Sequence, residues 1–323
     1  MPTRTSLAAP SDTITAELVA VLVAVTGGQA RILTTHDGQA LPSGPLEVDH
    51  RSLQTGMRAW IEAQTHHPIG YIEQLYTFAD RDRARDDARR VISVSYLGLT
   101  REAPAPQQAV GWRDWYHHFP WEDQRADAAE ALLAEHIAPA LAAWCQAAPT
   151  ETAQRRLRVD TAFGLHGAPW NEDFVLQRYE LLHEAGLVPE AQRGSAAAAR
   201  GGVPAAQRQA VAARTGAPML LDYRRILATG MARLRAKIKY RPVVFELMPD
   251  AFTLLQLQQT IEALAGRALH KQNFRRLVEQ QALVEETGQL TRGASGRPAQ
   301  LFRFREDVLL ERAISGSKLP LSR

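Results

Sequence analysis

One cysteine in 323 residues excludes an internal disulfide, and Cys145, preceded by Ala142, Ala143 and Trp144, reads as a buried thiol inside a helix rather than a nucleophile. No apolar run approaches the roughly 18 residues that a membrane-spanning helix needs. Met1–Thr13 is rich in Ser, Thr and Pro and lacks the apolar stretch of a secretion signal, so the expectation is a cytoplasmic protein with no membrane partner. Excess charge is missing too: Lys plus Arg total 38 and Asp plus Glu 35, a net charge of +3. Only the local distribution of charge can therefore argue for nucleic acid. The adjacent pairs His66-His67 and His117-His118 lack the i,i+4 spacing of helical metal ligands, and no Cys or carboxylate cluster accompanies them. They read as surface or loop histidines, and no metal site is expected.

Hydrophobic residues make up 45% of the chain and charged residues 23%, the texture of an ordinary globular protein with room for two or three domains. Leu18 to Val25 is short, apolar and rich in β-branched residues, which predicts a strand buried on both faces, and Gly27-Gly28 supplies a hairpin turn into a second strand over Ala30–Thr34. A helix is expected over Leu53–Gln64 and strands over Ile72–Phe78 and Val91–Leu99, which suits a mixed α/β sandwich. From Trp121 to about Gly216 the sequence turns Ala-rich, with helices predicted over Ala128–Cys145 and Glu172–Ala185 and a low-complexity linker or loop over Arg193–Pro204. Trp112, Trp115 and Trp121 sit near this junction, where packing is the ordinary role of an indole. Asp222–Ile238 predicts an amphipathic helix with Ile226, Leu227, Leu234 and Ile238 on one side.

The C-terminal stretch carries the clearest local signals. Thr253-Leu-Leu-Gln256 fits a capping box, with Leu254, Leu257, Ile261 and Leu264 at core spacing and Gly266 as the stop. A second helix over His270–Gln281 turns Phe274, Leu277 and Val278 inward and Lys271, Gln272, Arg275 and Arg276 outward. A strand at Leu283–Glu285, a turn at Thr287-Gly288, a basic glycine-rich loop from Arg292 to Arg297 and a strand over Gln300–Arg305 complete the outline of a winged helix-turn-helix. Between Arg267 and Arg305 there are eight basic residues, among them Arg303, against three acidic ones. That concentration of positive charge is where phosphates would sit.

One frame near the N-terminus is more specific. Gly44-x5-His50-x7-Arg58-Ala59-Trp60-Ile61-Glu62-Ala63-Gln64-Thr65 resembles a Nudix box, which reads G-x5-E-x7-R-E-U-x-E-E-x-G-U, but keeps only Glu62 of its glutamates. Mg²⁺ is held by carboxylates and substrate phosphates, so His50, Ala59 and Ala63 remove the metal chemistry, with Glu47 and Asp49 the nearby acids that could supplement Glu62. With the C-terminal outline, and with the stretches Tyr71–Phe78, Arg90–Tyr96, Leu234–Tyr240 and Phe245–Pro249, the chain resembles the Nudix-related transcriptional regulators of NAD metabolism.

The resemblance implies an α+β protein: an N-terminal Nudix-like α/β/α sandwich sensing an effector (residues 14–122), a helical insertion (123–218) matching no family pattern, a connecting helix (219–242) and a C-terminal winged helix-turn-helix (243–310). It implies a repressor of NAD synthesis or salvage genes, a homodimer on a palindromic double-stranded DNA operator, controlled by ADP-ribose or a related NAD-derived nucleotide, with no other cofactor and no catalytic residues. Gly44, Glu47, Arg58 and Glu62 surround the former metal site, Arg58 as a scaffold partner for Glu62, and Arg81 and Arg90 are candidates for phosphate. Lys271, Gln272, Arg275 and Arg276 would address DNA from the helix, Arg292 and Arg297 from the wing. The main alternative is a divergent Nudix hydrolase acting on ADP-ribose. A structural interaction protein with an empty relic pocket is the third reading.

Overall fold

The computed structural model describes residues 15–47, 52–65, 71–79, 91–102, 110–193, 202–239, 243–291 and 298–306. β1 (Thr15–Thr26) lies in the middle of a mixed sheet whose path runs β4 (Tyr71–Phe78), β5 (Val91–Leu99), β1, β2 (Gln29–Thr34) and β6 (Gly111–Asp114), with β3 (Ser43–Pro45) paired to the start of β1. β1 and β5 run parallel, and the other pairs are antiparallel. Gly27 and Gly28 both have positive φ, at +59° and +74°, the backbone that a two-residue hairpin turn with the native strand twist requires. The short strands β3 and β6 carry no periodicity of their own, so the local pattern does not predict them.

β1 is buried on both faces, as its apolar run predicts. Val19, Val21 and Val23 enter one core, and Leu18, Ala20, Leu22 and Ala24 enter another. Met57 and Ile61 of α1 (Leu53–Thr65) close the second core. The first is covered by Ile226, Leu227, Met231 and Leu234 of a long helix, Tyr223–Ile238, which is α7 in chain order. Helix, sheet and helix form the expected sandwich.

Between β6 and α7 lie α2 (Asp127–Leu132), α3 (Ala138–Gln146), α4 (Thr152–Phe163), α5 (Val175–Glu184) and α6 (Ala205–Ala212). The single helix expected over Ala128–Cys145 is divided by a π turn at Leu133–Ile137. Pro139 explains it: proline lacks the N–H for the helical ladder and its ring crowds the preceding turn, which a widened turn relieves. The helix expected from Glu172 begins at Val175, and α4 and α6 are additional to the predicted helices. Most of the Arg193–Pro204 run falls outside the described residues. Cys145, Trp115 and Trp121 are buried in this region, as their settings predict.

The C-terminal part contains α8 (Leu254–Ala265), α9 (Lys271–Gln280) and the hairpin β7 (Val284–Leu290) and β8 (Gln300–Phe304). The capping box is complete: Thr253 Oγ1 accepts from the Gln256 amide at 3.2 Å, and Gln256 Oε1 accepts from the Thr253 amide at 2.8 Å. Gly266 ends the helix at φ +70°. Two expectations are corrected here. Leu277 is 52% exposed, because only Phe274 and Val278 of α9 face inward. The turn expected at Thr287-Gly288 instead lies within β7 as an irregularity between Glu286 and Leu290, with Gly288 at φ +72°. One continuous core runs from β1 through the inserted helices to Phe304.

Candidate effector cleft and nucleic-acid interface

Gly44 lies in β3 opposite Leu18, and the Trp60 indole of α1 packs directly over it. A Cβ at this position would collide with the ring, so the first glycine of the box frame is fixed by close approach rather than by turn geometry. Trp60 occupies the apolar position of that frame, the one sequence signal for its role. Ser43 Oγ lies 2.7 Å from Tyr223 Oη, tying β3 to the start of α7. Arg58 is half-buried and Glu62 exposed one turn later on α1, Glu47 is exposed just beyond β3, and Ala59 is exposed. The structure thus brings Gly44 beside α1. His50, Asp49, Arg81 and Arg90 lie outside the described residues. Among the described residues no group of three His, Cys, Asp or Glu side chains is placed to hold a metal ion.

At the other end, α9 turns Lys271, Gln272, Arg275 and Arg276 to solvent while Phe274 and Val278 anchor it. None of its three cations forms an ion pair among the described residues, so the positive face is uncompensated. The basic region is narrower than the residue count suggests. Arg303 Nε stands 2.7 Å from Glu285 Oε1 across the hairpin, and Arg267 Nη2 stands 3.5 Å from Glu172 Oε1 on the side of the inserted segment. Arg292 and Arg297 lie outside the described residues.

What joins the two ends is a buried ionic network. Glu122 is fully buried and receives two arginines: Arg178 of α5 donates through Nε and Nη2 at 2.6 and 2.8 Å, and Arg235 of α7 donates through Nη1 at 2.6 Å. Arg235 also donates to the Leu264 carbonyl at 2.9 Å, and Tyr116 donates its hydroxyl proton to the Ala263 carbonyl at 2.6 Å. The last turn of α8 is therefore held by the same group that organises the sheet edge and the inserted helices. Burial raises the Glu122 pKa, but the two guanidiniums outweigh it and hold the carboxyl below the ordinary range. By spacing α7 has one apolar face; Arg224 and Arg235 lie at the edge of that face, next to Met231, and are buried because the segment between β6 and α7 packs against that flank.

His118 corrects the surface assignment of the second histidine pair. It is 1% exposed, its Nδ1 lies 2.9 Å from the Ala217 carbonyl, and burial lowers its pKa to about 4. Its own carbonyl accepts from Arg224 Nε at 3.0 Å, and Arg224 Nη1 donates to Glu190 Oε2 at 3.0 Å. Further along α7, Lys237 donates to Tyr71 Oη and to Glu73 of β4. Two stretches that carried the family resemblance thus meet in space.

Residues 244–304 match the NrtR DNA-binding winged helix domain family. Over 86 residues the chain is 41% identical to the ADPR responsive transcriptional repressor NtrR of Acinetobacter baylyi, a match covering 27% of this chain and 34% of that one. The chain thus spans about a third of the length of the curated relative it matches. The structure of Shewanella oneidensis NrtR complexed with a 27mer DNA is similar over 90% of this chain and 94% of that one, with a TM-score of 0.52 at 19% identity. A MutT/nudix family protein from Enterococcus faecalis is similar over 91% and 89% of the two chains, with a TM-score of 0.50 at 15% identity. The fold is a Nudix-like domain followed by a winged helix of the NrtR type.

Proposed function

We infer that this chain, a Nudix-like domain joined to a winged helix of the NrtR type, is a DNA-binding transcriptional repressor controlled by ADP-ribose or a related NAD-derived nucleotide. The single observation that carries the reading is α9, a helix anchored by Phe274 and Val278 that presents Lys271, Gln272, Arg275 and Arg276 to solvent, its three cations without an ion-pair partner among the described residues. Uncompensated cations on the second helix of a helix-turn-helix suit a major groove, where the backbone phosphates supply affinity and base edges supply selection. The similarity to an ADPR responsive transcriptional repressor and to NrtR in complex with DNA supports the same reading.

The effector would occupy the cleft beside Gly44, with Glu47, Arg58 and Glu62 around it and Arg81 and Arg90 reaching phosphate. With alanines at positions 59 and 63 of the box frame, binding there proceeds without hydrolysis. Repression by a homodimer on a palindromic operator follows if nucleotide binding favours a dimer geometry that no longer fits both half-sites. Genes of NAD synthesis or salvage are the expected targets.

The test has two parts. Purified protein should retard duplex DNA carrying its operator with an affinity that falls steeply with salt, and Arg275→Ala combined with Arg276→Ala should abolish retardation while circular dichroism is unchanged. Unchanged affinity in that double variant defeats the interface assignment. ADP-ribose should raise the melting temperature and release the DNA, with no AMP formed in the presence of Mg²⁺. Robust AMP release lost on Glu62→Gln would establish the hydrolase instead.

A further inference from the structure

The exposed side of α9 is not uniform. Phe274 and Val278 fix the direction that faces the core, and at about 100° per residue every other side chain has a set bearing from it. Within the first two turns only Gln272 and Arg276 lie within about 40° of the opposite, outermost direction. Both are exposed. Lys271 and Arg275 share one flank of the helix, and Asn273 and Leu277 share the other.

The two flanks have different surroundings. Leu277 lines a groove together with Ile238 of α7 and Lys239 just beyond it, so its flank is turned toward the body of the protein. The flank of Lys271 and Arg275 is exposed, and both charges on it are cations without an ion-pair partner among the described residues. One side of the helix is therefore basic and the other is uncharged.

A helix lying in a major groove turns its outermost side chains to the base edges, while its flanks meet the phosphate walls. Phosphate contacts fix position and carry no sequence information; base contacts select. Glutamine matches adenine at N6 and N7 with its amide, and the arginine fork matches guanine at O6 and N7. Gln272 and Arg276 stand one turn apart, about 6 Å along the axis, close to two base-pair steps of about 3.4 Å. Glu279 lies on the exposed side of the last turn, where a carboxylate would repel the backbone. The helix thus engages by its first two turns, as second helices of this motif do.

We propose that Gln272 and Arg276 are the sequence-reading residues of α9, Gln272 selecting an adenine and Arg276 a guanine about two base pairs away, while Lys271 and Arg275 hold phosphates of one strand without selecting sequence. This rests on the DNA-binding reading above and divides its four helix residues into two roles.

The experiment is selection from a randomised duplex pool by the full chain and by each single variant, followed by retardation of the enriched duplex across a salt series. The unmodified chain should enrich a half-site holding an adenine and a guanine about two steps apart. Gln272→Ala should lose the preference at the adenine alone and Arg276→Ala at the guanine alone, each lowering affinity for the enriched duplex by about fivefold or more relative to an unrelated one. Arg276→Lys keeps the charge without the fork, so it should lose the guanine preference and still bind unrelated duplex as the unmodified chain does. Lys271→Ala and Arg275→Ala should enrich the same sequence, weaken all duplexes alike and each reduce the salt slope by about one. All four positions are exposed, and equal melting temperatures will confirm that the variants fold. A half-site without that adenine and guanine, a sequence preference unchanged in either Gln272→Ala or Arg276→Ala, or one altered in Lys271→Ala or Arg275→Ala overturns the division of roles and leaves DNA binding standing. Failure of the unmodified chain to retain any duplex defeats the DNA-binding reading itself, and the division of roles with it.

Discussion

Arg235 Nη1 lies 2.6 Å from Glu122 Oε2, and both side chains are fully buried. Such a pair contributes little net stability when intact, because desolvation offsets the attraction, but breaking it strands a charge in the interior. Here the carboxylate serves two guanidiniums, so its loss strands both.

Glu122→Gln should therefore destabilise the protein by about 3–5 kcal/mol, the cost of an uncompensated buried charge. Urea denaturation followed by tryptophan fluorescence measures it. A loss below about 1 kcal/mol would mean that Arg178 and Arg235 find solvent or another partner on losing the carboxylate.

His118 makes stability fall on the acid side. Its pKa drops from 6.5 to about 4 on folding, so the unfolded chain takes up a proton that the folded chain refuses. The contribution is fully present above pH 6.5, shrinks as the pH falls from there, and is gone near pH 4, a span worth roughly 3 kcal/mol. Urea midpoints between pH 7 and pH 4.5 should show this slope, and His118→Gln should flatten it. An equal slope in the variant assigns the acid sensitivity to other groups.

Gly230 is set by contact between α7 and the sheet. A Cβ there would stand 2.9 Å from Val21 Cγ1, a stiff β-branched side chain in the central strand. Gly230→Ala gains up to about 1 kcal/mol of helix propensity, but overpacking a filled core costs about 1–3 kcal/mol. Calorimetry should record a lower melting temperature, and a rise would show that helix and sheet can separate freely.

Thr253→Ala removes one half of the capping box at the start of α8 and should cost about 1 kcal/mol. Thr253→Ser, which keeps the hydroxyl, should recover most of it. Equal stability of the Ala and Ser variants would show that the Gln256 side chain suffices.

Lys271→Ala should lower DNA affinity about equally for operator and unrelated duplexes and reduce the slope of log affinity against log salt by about one. Retardation assays across a salt series give both quantities. A selective loss on the operator alone would place Lys271 on a base edge.

The legible parts of this protein are the ones written in short-range stereochemistry. The doubly buried run of β1, the paired left-handed glycines at 27 and 28, the Thr253 cap and the inward Phe274 and Val278 each depend on neighbours within a turn or a hairpin, so residue order suffices to specify them. The box frame placed Gly44 against α1 because its spacing encodes one loop and one helix. The burial of Arg178, Arg224 and Arg235 around Glu122 and Glu190 was decided by tertiary structure alone. Arginine is an outward residue by composition, and its partners here stand 34 to 113 positions away.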